Sequence, residues 1–539
     1  MLSSLNRRIA AWSLGMCFMT SISANAGLLP ERVEKAAQER IAAGIYQTLV
    51  FGVVDGDKSE VVVFGELDDG KAPDGDTVYE LASVTKTFTG TLLAHAVLSG
   101  RVTLDTPVAK LLPDFKIPSR GGQEITLEHL ATHHAGLPRE GLGDYRAAKL
   151  KAYLAAYQLP RDPGAAYEYS NGGFALLGYA LAQLEHTTYD ALTDKEILKP
   201  LNMAVSGAVV TEAMHTRLAP GHDHTGKAAS QDADALVGAG AIRSTANDML
   251  RYLKANMGID PSPLAAAMKL AQQPRRDMGN AMRVGLAWIT TAKGIVWHNG
   301  MNAGHRSFLG FTVDGRRGVV ILGNTAVDAD DLGFATLDAD APLAPAYKAI
   351  VLPAASLDDY VGTYKLADKF LLNVFRMNGG LFARATGQGA IPIFPSAPNE
   401  FFAKVVQASI SFTRDPNGVV NGLVLHQNGD RAAPKLSASE LPPELKEIAL
   451  DAAALGDYVG TYRFDFGAIF DVTFKSDHLE AQLTGQAAFP IFASATDKFF
   501  YKIVDAQLDF ERETGGKVVA VVLHQNGRDM RAPRMATQR

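Results

Sequence analysis

Near its C-terminus the sequence copies itself at a constant distance. Tyr360-Val361-Gly362-Thr363-Tyr364 returns as Tyr458-Val459-Gly460-Thr461-Tyr462, and His426-Gln427-Asn428-Gly429 returns as His524-Gln525-Asn526-Gly527. Positions 458 and 360 differ by 98, as do 524 and 426, and Phe401-Phe402 stands at the same distance from Phe499-Phe500. A constant offset means that the copies align without net insertion. Solenoid repeats have periods of ~20–50 residues, so this is duplication of a whole small domain. Within each copy, short apolar stretches alternate with Gly, Asn and Asp turns. Asn417-Gly418 leads into Val419 to His426, and Gly515-Gly516 leads into Lys517 to His524. That punctuation predicts a small antiparallel barrel or sandwich, built twice.

The rest of the chain has a different texture. Glu60 to Phe64 and Gly318 to Leu322 are strand-like, whereas Thr85 to Leu98, Gly172 to Leu184 and Asn247 to Lys254 carry helical periodicity. Thr245-Ala246-Asn247-Asp248 fits a capping box. Strands at both ends with helices between them predict one mixed sheet packed by helices. Thr325 to Ser356, rich in Ala, Asp and Pro, reads as a linker, and a shorter one from about Ser437 to Ala454 joins the copies. The expected divisions are 1–26, 27–340, 355–440 and 453–536.

Residues 1–26 read as an export signal. Arg7 and Arg8 form a positive start, Ile9 to Met19 a short apolar core, and Ala24-Asn25-Ala26 a small-x-small cleavage site. The apolar run is too short for a comfortable membrane span. The single cysteine, Cys17, falls inside this segment, so the mature protein has no disulfide framework. Cleavage removes two arginines and no acid, taking the net charge from -6 to -8. Such an acidic chain carries no electrostatic footprint of a nucleic-acid binder. The expected compartment is the periplasm, with no stable membrane insertion.

Three short motifs carry chemistry. Ser83-Val84-Thr85-Lys86 opens a predicted helix after the strand-like Thr77 to Leu81. Positions i and i+3 share a helix face, so Ser83 and Lys86 point into one pocket. A serine hydroxyl needs an adjacent base, and a lysine with a lowered pKa can be that base. Tyr169-Ser170-Asn171 follows a Pro163-Gly164 turn; Tyr169 can relay a proton, and Asn171 can hold a substrate amide. His298-Asn299-Gly300 follows the aromatic strand Ile295-Val296-Trp297, and Gly300 permits close backbone approach. Taken singly, each motif also fits an ordinary turn or helix start.

Their order and surroundings resemble the serine β-lactamase and penicillin-binding-protein superfamily over roughly residues 30–325. Ile125 to Pro138, Leu198 to Met203 and Ala239 to Thr245 are similar to further segments of that family. The resemblance implies an α+β catalytic domain with an antiparallel sheet packed by helices. The two repeats resemble the lipocalin-like barrels appended to some serine peptidases. It further implies that Ser83 attacks a carbonyl and forms an acyl-enzyme, that Lys86 and Tyr169 share proton transfer, and that Asn171 holds the substrate. The amides of Ser83 and Met301 would form the oxyanion hole, beside Gly300. His298 stands where many β-lactamases have lysine, which argues against efficient antibiotic hydrolysis. Met301 replaces a smaller residue and narrows the pocket.

Other polar residues receive structural readings. His222-Asp223-His224 and His133-His134 lack a recognisable third ligand, so no metal and no cofactor is expected. His426 and His524 read as residues ending barrel strands, and Arg243 and Arg306 either as structural ion-pair partners or as contacts for a substrate carboxylate. The domain order resembles the D-aminopeptidases and the linearised-microcystin hydrolases of the superfamily. The expected activity is therefore hydrolysis of small linear peptides, including those with D-residues. A carboxylesterase, a D-aminopeptidase or D-Ala carboxypeptidase, and an inactive ligand-binding protein remain alternatives.

Overall fold

In the computed structural model each C-terminal copy is a meander of strands that returns to its own beginning. The structure describes residues 27–535 except 139–145, 231–236, 368–369, 378, 387, 389, 405, 407, 428, 438, 441–446, 465–467, 476–477, 484–487, 502–505 and 526–527. The expected export signal, with Cys17, lies outside the described residues.

The N-terminal domain is built on one eight-stranded sheet. Helix α1 (Glu31–Ala42) leads into strands β1 (Thr48–Asp55) and β2 (Lys58–Gly65). Three long helices follow at intervals, α2 (Thr85–Leu98), α3 (Asn171–Leu184) and α4 (Ala246–Met257). The sheet is completed by β3 (Arg276–Gly279), β4 (Met282–Val284), β5 (Ile289–Thr290), β6 (Ile295–Met301), β7 (Arg306–Thr312) and β8 (Arg317–Gly323). Its order is β2-β1-β8-β7-β6-β5-β4-β3, so the first and last strands of the domain are neighbours. These pairings are antiparallel, and the mixed sheet expected from periodicity alone is corrected.

Side-chain alternation along the central strands feeds two cores. From β1, Val50 and Val54 face the core shared with α2, α3 and α4, whereas Leu49, Phe51 and Val53 join a second core with α1. A strand covered on both faces is apolar at every position, which explains the unbroken run Leu49 to Val54. Helix α2 is buried around its full circumference from Thr85 to Ala94, and only its C-terminal end surfaces, at Leu98. Its threonine hydroxyls satisfy themselves on backbone carbonyls, Thr87 on Val84 at 2.8 Å and Thr91 on Thr87 at 2.9 Å. Thr245 caps α4 by accepting from the Asp248 amide at 3.1 Å.

Two local expectations are corrected. Thr77 to Leu81 is not a continuous strand. Only Tyr79 and Glu80 form a ladder, with Ser244 and Arg243; Val78 makes an isolated parallel bridge with Leu218, and Leu81 gives its amide to the Ile242 carbonyl. The stretch from Thr325 is not wholly linker either. Helix α5 (Asp330–Leu337) packs on the sheet through Leu332 and Ala335, and Asp331 pairs with buried Arg40. Alanine and aspartate mimic a linker's composition, but here the apolar residues recur at helical spacing.

The first barrel comprises β9 (Gly362–Ala367), β10 (Phe370–Met377), β11 (Gly380–Ala385), β12 (Ile391–Ala397), β13 (Glu400–Ala403), β14 (Ser409–Arg414), β15 (Val420–His426) and β16 (Asp430–Pro434). The second repeats it as β17 (Gly460–Arg463), β18 (Ile469–Lys475), β19 (His478–Leu483), β20 (Phe489–Ala495), β21 (Lys498–Tyr501), β22 (Ala506–Arg512), β23 (Val518–Gln525) and β24 (Arg528–Pro533). Tyr364 bridges to Lys435 and Tyr462 to Arg534, closing each sheet on itself. The repeated tyrosines explain their motif. The Tyr364 hydroxyl donates to the Tyr360 carbonyl at 2.7 Å, and Tyr462 does the same to Tyr458 at 2.7 Å. Between them Gly362 and Gly460 make room, because a Cβ would stand 2.4 Å from Lys435 and 2.7 Å from Arg534. The offset of 98 holds only as far as the last hairpin. Leu423 faces Ala433 while Val521 faces Ala532, so the second copy gains one residue there.

Candidate active site

Helix α2 brings Lys86 into the interior, and its burial is complete. A lysine there needs partners for its nitrogen. Nζ lies 3.0 Å from Ser83 Oγ, 2.9 Å from Asn171 Oδ1 and 2.7 Å from the Ala239 carbonyl. Three acceptors satisfy an ammonium. A neutral amine is satisfied equally well, because it donates to Asn171 and Ala239 and accepts from the Ser83 hydroxyl. The cluster therefore holds Lys86 in either protonation state, as a proton-transfer base requires. Tyr169 approaches Ser83 from the other side, its hydroxyl donating to Oγ at 2.7 Å. The structure thus brings Ser83, Lys86, Tyr169 and Asn171 together. Asn171 turns its carbonyl to Lys86, which leaves its NH2 group to donate elsewhere.

The turn that presents Ser83 is strained. Ala82 has φ 46°, left-handed for a residue with a Cβ, and a conformation that costs ~1 kcal/mol. It opens a single 3-10 turn, Ala82–Val84, before α2 begins at Thr85. The neighbouring backbone is tied down to hold it. The Leu81 amide donates to the Ile242 carbonyl at 2.9 Å, and Ser307 Oγ donates to the Leu81 carbonyl at 2.7 Å.

Strand β6 lies against this turn. A Cβ on Gly300 would stand 2.2 Å from the Leu81 carbonyl oxygen and 2.9 Å from the Ser83 amide nitrogen. Only glycine allows that approach. Met301 follows it at the rim, 44% exposed. His298, two positions earlier on the same strand, is buried. Its Nδ1 lies 2.6 Å from the Asn299 carbonyl, which can only accept, so Nδ1 carries the proton. Nε2 is a buried acceptor with no hydrogen-bond partner among the described residues. Burial, and repulsion from Lys86, push the imidazole pKa down to about 3. His298 is therefore neutral at ordinary pH.

Two positioning residues escape a reading by motif. The His133 ring stacks on Tyr169 at 4.3 Å between centroids, and its Nδ1 accepts from the Ser170 amide at 2.9 Å. Ser170 in turn caps α3, accepting from Gly173 at 3.0 Å. Buried Glu80 receives Asn302 and lies 3.6 Å from both Arg243 and His305. Burial alone would raise its carboxyl pKa, but His305, Arg243 and Asn302 outweigh that and hold it below the usual range. It ties the β6–β7 hairpin to the segment before Ser83. The signal for Glu80 was its place three residues before Ser83; His133 had none beyond its left-handed φ of 60°, visible only in the fold.

The other polar residues are structural. Arg306 pairs with Asp328 and Asp330, and Arg243 donates to the Ala208 carbonyl at 2.6 Å as well as facing Glu80. Among the described residues no cluster of His, Cys, Asp and Glu has the arrangement of a metal site. On the first barrel, His426 lies between Ser411 at 2.9 Å and Asp430 at 2.7 Å. Ser411 also faces the Glu400 carboxylate at 2.6 Å, so its single proton is contested between Glu400 and His426. Asp509, paired with Lys498, takes that place in the second barrel, and His524 again meets an aspartate, Asp529. Among the described residues no helix is long and apolar enough to cross a membrane.

Residues 33–341 match the family model described as Beta-lactamase. Residues 346–441 and 444–534 each match a domain of unknown function, DUF3471. The chain is 29% identical over 287 residues to the D-alanyl-D-alanine-carboxypeptidase/endopeptidase AmpH of Escherichia coli (strain K12), covering 48% of this chain and 74% of that one. Among solved structures, a class C beta-lactamase superposes with TM-score 0.53 at 21% identity, over 56% of this chain and 94% of the other. D-alanine carboxypeptidase AmpC from Burkholderia cenocepacia superposes with TM-score 0.51 at 23% identity, over 57% and 98%. At these identities the superpositions speak for the fold.

Proposed function

The chain belongs to the Beta-lactamase family of serine hydrolases through residues 33–341, and from that premise we propose that it is an exported, periplasmic peptidase acting on small linear peptides. The observation that carries this reading is the hydrogen-bonded set of Ser83, Lys86 and Tyr169. Ser83 Oγ attacks the peptide carbonyl as its proton passes to Lys86 Nζ. The tetrahedral oxyanion is held by the amides of Ser83 and Met301, and Asn171 donates to the substrate amide. Tyr169 conveys a proton to the leaving amine as the C–N bond breaks. Water then attacks the acyl-enzyme and restores Ser83.

The substrate class follows from charge. Of the candidate contacts for a substrate C-terminal carboxylate, His298 is neutral, Arg243 faces buried Glu80 and Arg306 pairs with the half-buried Asp328 and Asp330. That favours cleavage distant from a free carboxylate over the D-Ala carboxypeptidase alternative. Peptides containing D-residues, linearised microcystin among them, are the substrates we put first.

The test is mass spectrometry after incubation with linear peptides of both chiralities, including linearised microcystin. We expect peptide cleavage that Ser83→Ala abolishes, together with fluorophosphonate labelling of Ser83. Turnover of esters with no peptide cleaved would establish the esterase alternative instead. No labelling of Ser83 would overturn the enzyme reading.

A further inference from the structure

The two barrels share one repeat, yet their interiors differ. The first encloses a cavity of about 260 Å³, lined by apolar side chains that include Leu366, Ala385, Ile391 and Ala403. In the second, Phe464, Leu483, Phe489 and Tyr501 stand at those four places, each larger than its counterpart. One exchange runs the other way, Ala468 for Phe370. Phe464 is buried in the core of its barrel, and Tyr501 packs against that core.

The polar wall differs as well. Arg431 lines the cavity and faces Leu425 across the last hairpin. The extra residue of the second copy puts Met530 opposite Leu523 in that position, packed against the core. Arg431 is exposed, so the cavity meets solvent beside it, and it makes no hydrogen bond or ion pair among the described residues. The amides of Gln388 and Gln427 complete the polar part of the wall.

An eight-stranded barrel is wide enough either to be filled by side chains or to hold one small ligand. Unfilled apolar volume costs stability, because the lining loses its dispersion contacts. The second barrel places larger side chains against its core at three of these positions, Phe464, Leu483 and Tyr501. We propose that the first barrel is a binding site for a small amphiphilic carboxylate. Its apolar body occupies the space that Phe464, Leu483 and Tyr501 take in the second barrel, and its charged end meets Arg431. The cavity is smaller than the ~300–1,000 Å³ of drug-sized sites, which selects a molecule the size of a medium-chain fatty acid.

Calorimetric titration of the full chain with octanoate and with octanol tests this, using exchanges taken from the second barrel. We expect saturable octanoate binding that Ala403→Tyr weakens at least about tenfold, or 1.4 kcal/mol. Should Ala403→Tyr fail to fold by thermal unfolding, Ala385→Leu makes the same test. Arg431→Met should weaken octanoate by about tenfold and octanol by less than about twofold, because only the carboxylate gains from the guanidinium. Turnover at Ser83 should be unchanged in these variants. No saturable octanoate binding, or wild-type binding in the folded filling variant, overturns the site. Equal loss of octanoate and octanol in Arg431→Met overturns the carboxylate assignment.

Discussion

The ring of His133 lies face to face with that of Tyr169, 26° from parallel, while its Nδ1 receives the amide of Ser170. One side chain thus orients the phenol and anchors the loop that carries it. Replacing His133 by Ala removes both contacts. We expect kcat to fall about tenfold or more with a smaller change in KM, since the loss is of positioning in the reaction. His133→Asn tolerates the left-handed backbone and should recover folding but not rate. Equal kcat in wild type and His133→Ala would count against the role.

Lys86→Met tests the base. Methionine is similar in length but cannot take a proton, so the rate should drop by about 10²–10⁴. Fluorophosphonate labelling of Ser83 should slow in parallel. Retained labelling at the wild-type rate would assign the base elsewhere.

Gly300→Ala tests the contact between β6 and the Ser83 turn. The new Cβ meets a carbonyl oxygen at 2.2 Å, and neither backbone can yield without moving the Ser83 amide. We expect kcat reduced at least about 10²-fold, the scale of a lost oxyanion donor. The circular dichroism spectrum should stay native. Unimpaired turnover would show that β6 does not shape the reacting centre.

His298 gives stability a pH dependence whose sign can be stated. Its pKa is pushed down to about 3 by burial and by Lys86, against ~6.5 in an unfolded chain. Between these values the unfolded chain binds a proton that the folded one refuses. Stability from this residue is therefore present above pH ~6.5 and is lost as pH falls towards ~3. His298→Asn should flatten the urea midpoint between those limits, whatever it does to stability at pH 7. Parallel curves for variant and wild type would contradict a neutral buried imidazole.

Much of this protein was legible before folding. The 98-residue duplication required two like domains, because contacts such as that between Tyr364 and Tyr360 are local and recur with their motif. Helix α2 was legible from Thr85 to Leu98 because the hydrogen bonds that make a helix join residues four apart, although burial on every side leaves it no amphipathic face. So was the pairing of Ser83 with Lys86, one helical turn apart. Tertiary structure decided what depends on residues far apart in sequence. It placed Asn171 and the Ala239 carbonyl on Lys86, set His133 against Tyr169, and surrounded His298 with enough protein to keep it neutral. It also turned Asp330–Leu337 from apparent linker into a helix, because the face it covers is made by β7 and β8, just before it, together with α1 and β1 from the start of the domain. Local spacing fixes which side chains can share a face. Burial and partner choice, which set pKa and orientation, exist only once distant segments have packed.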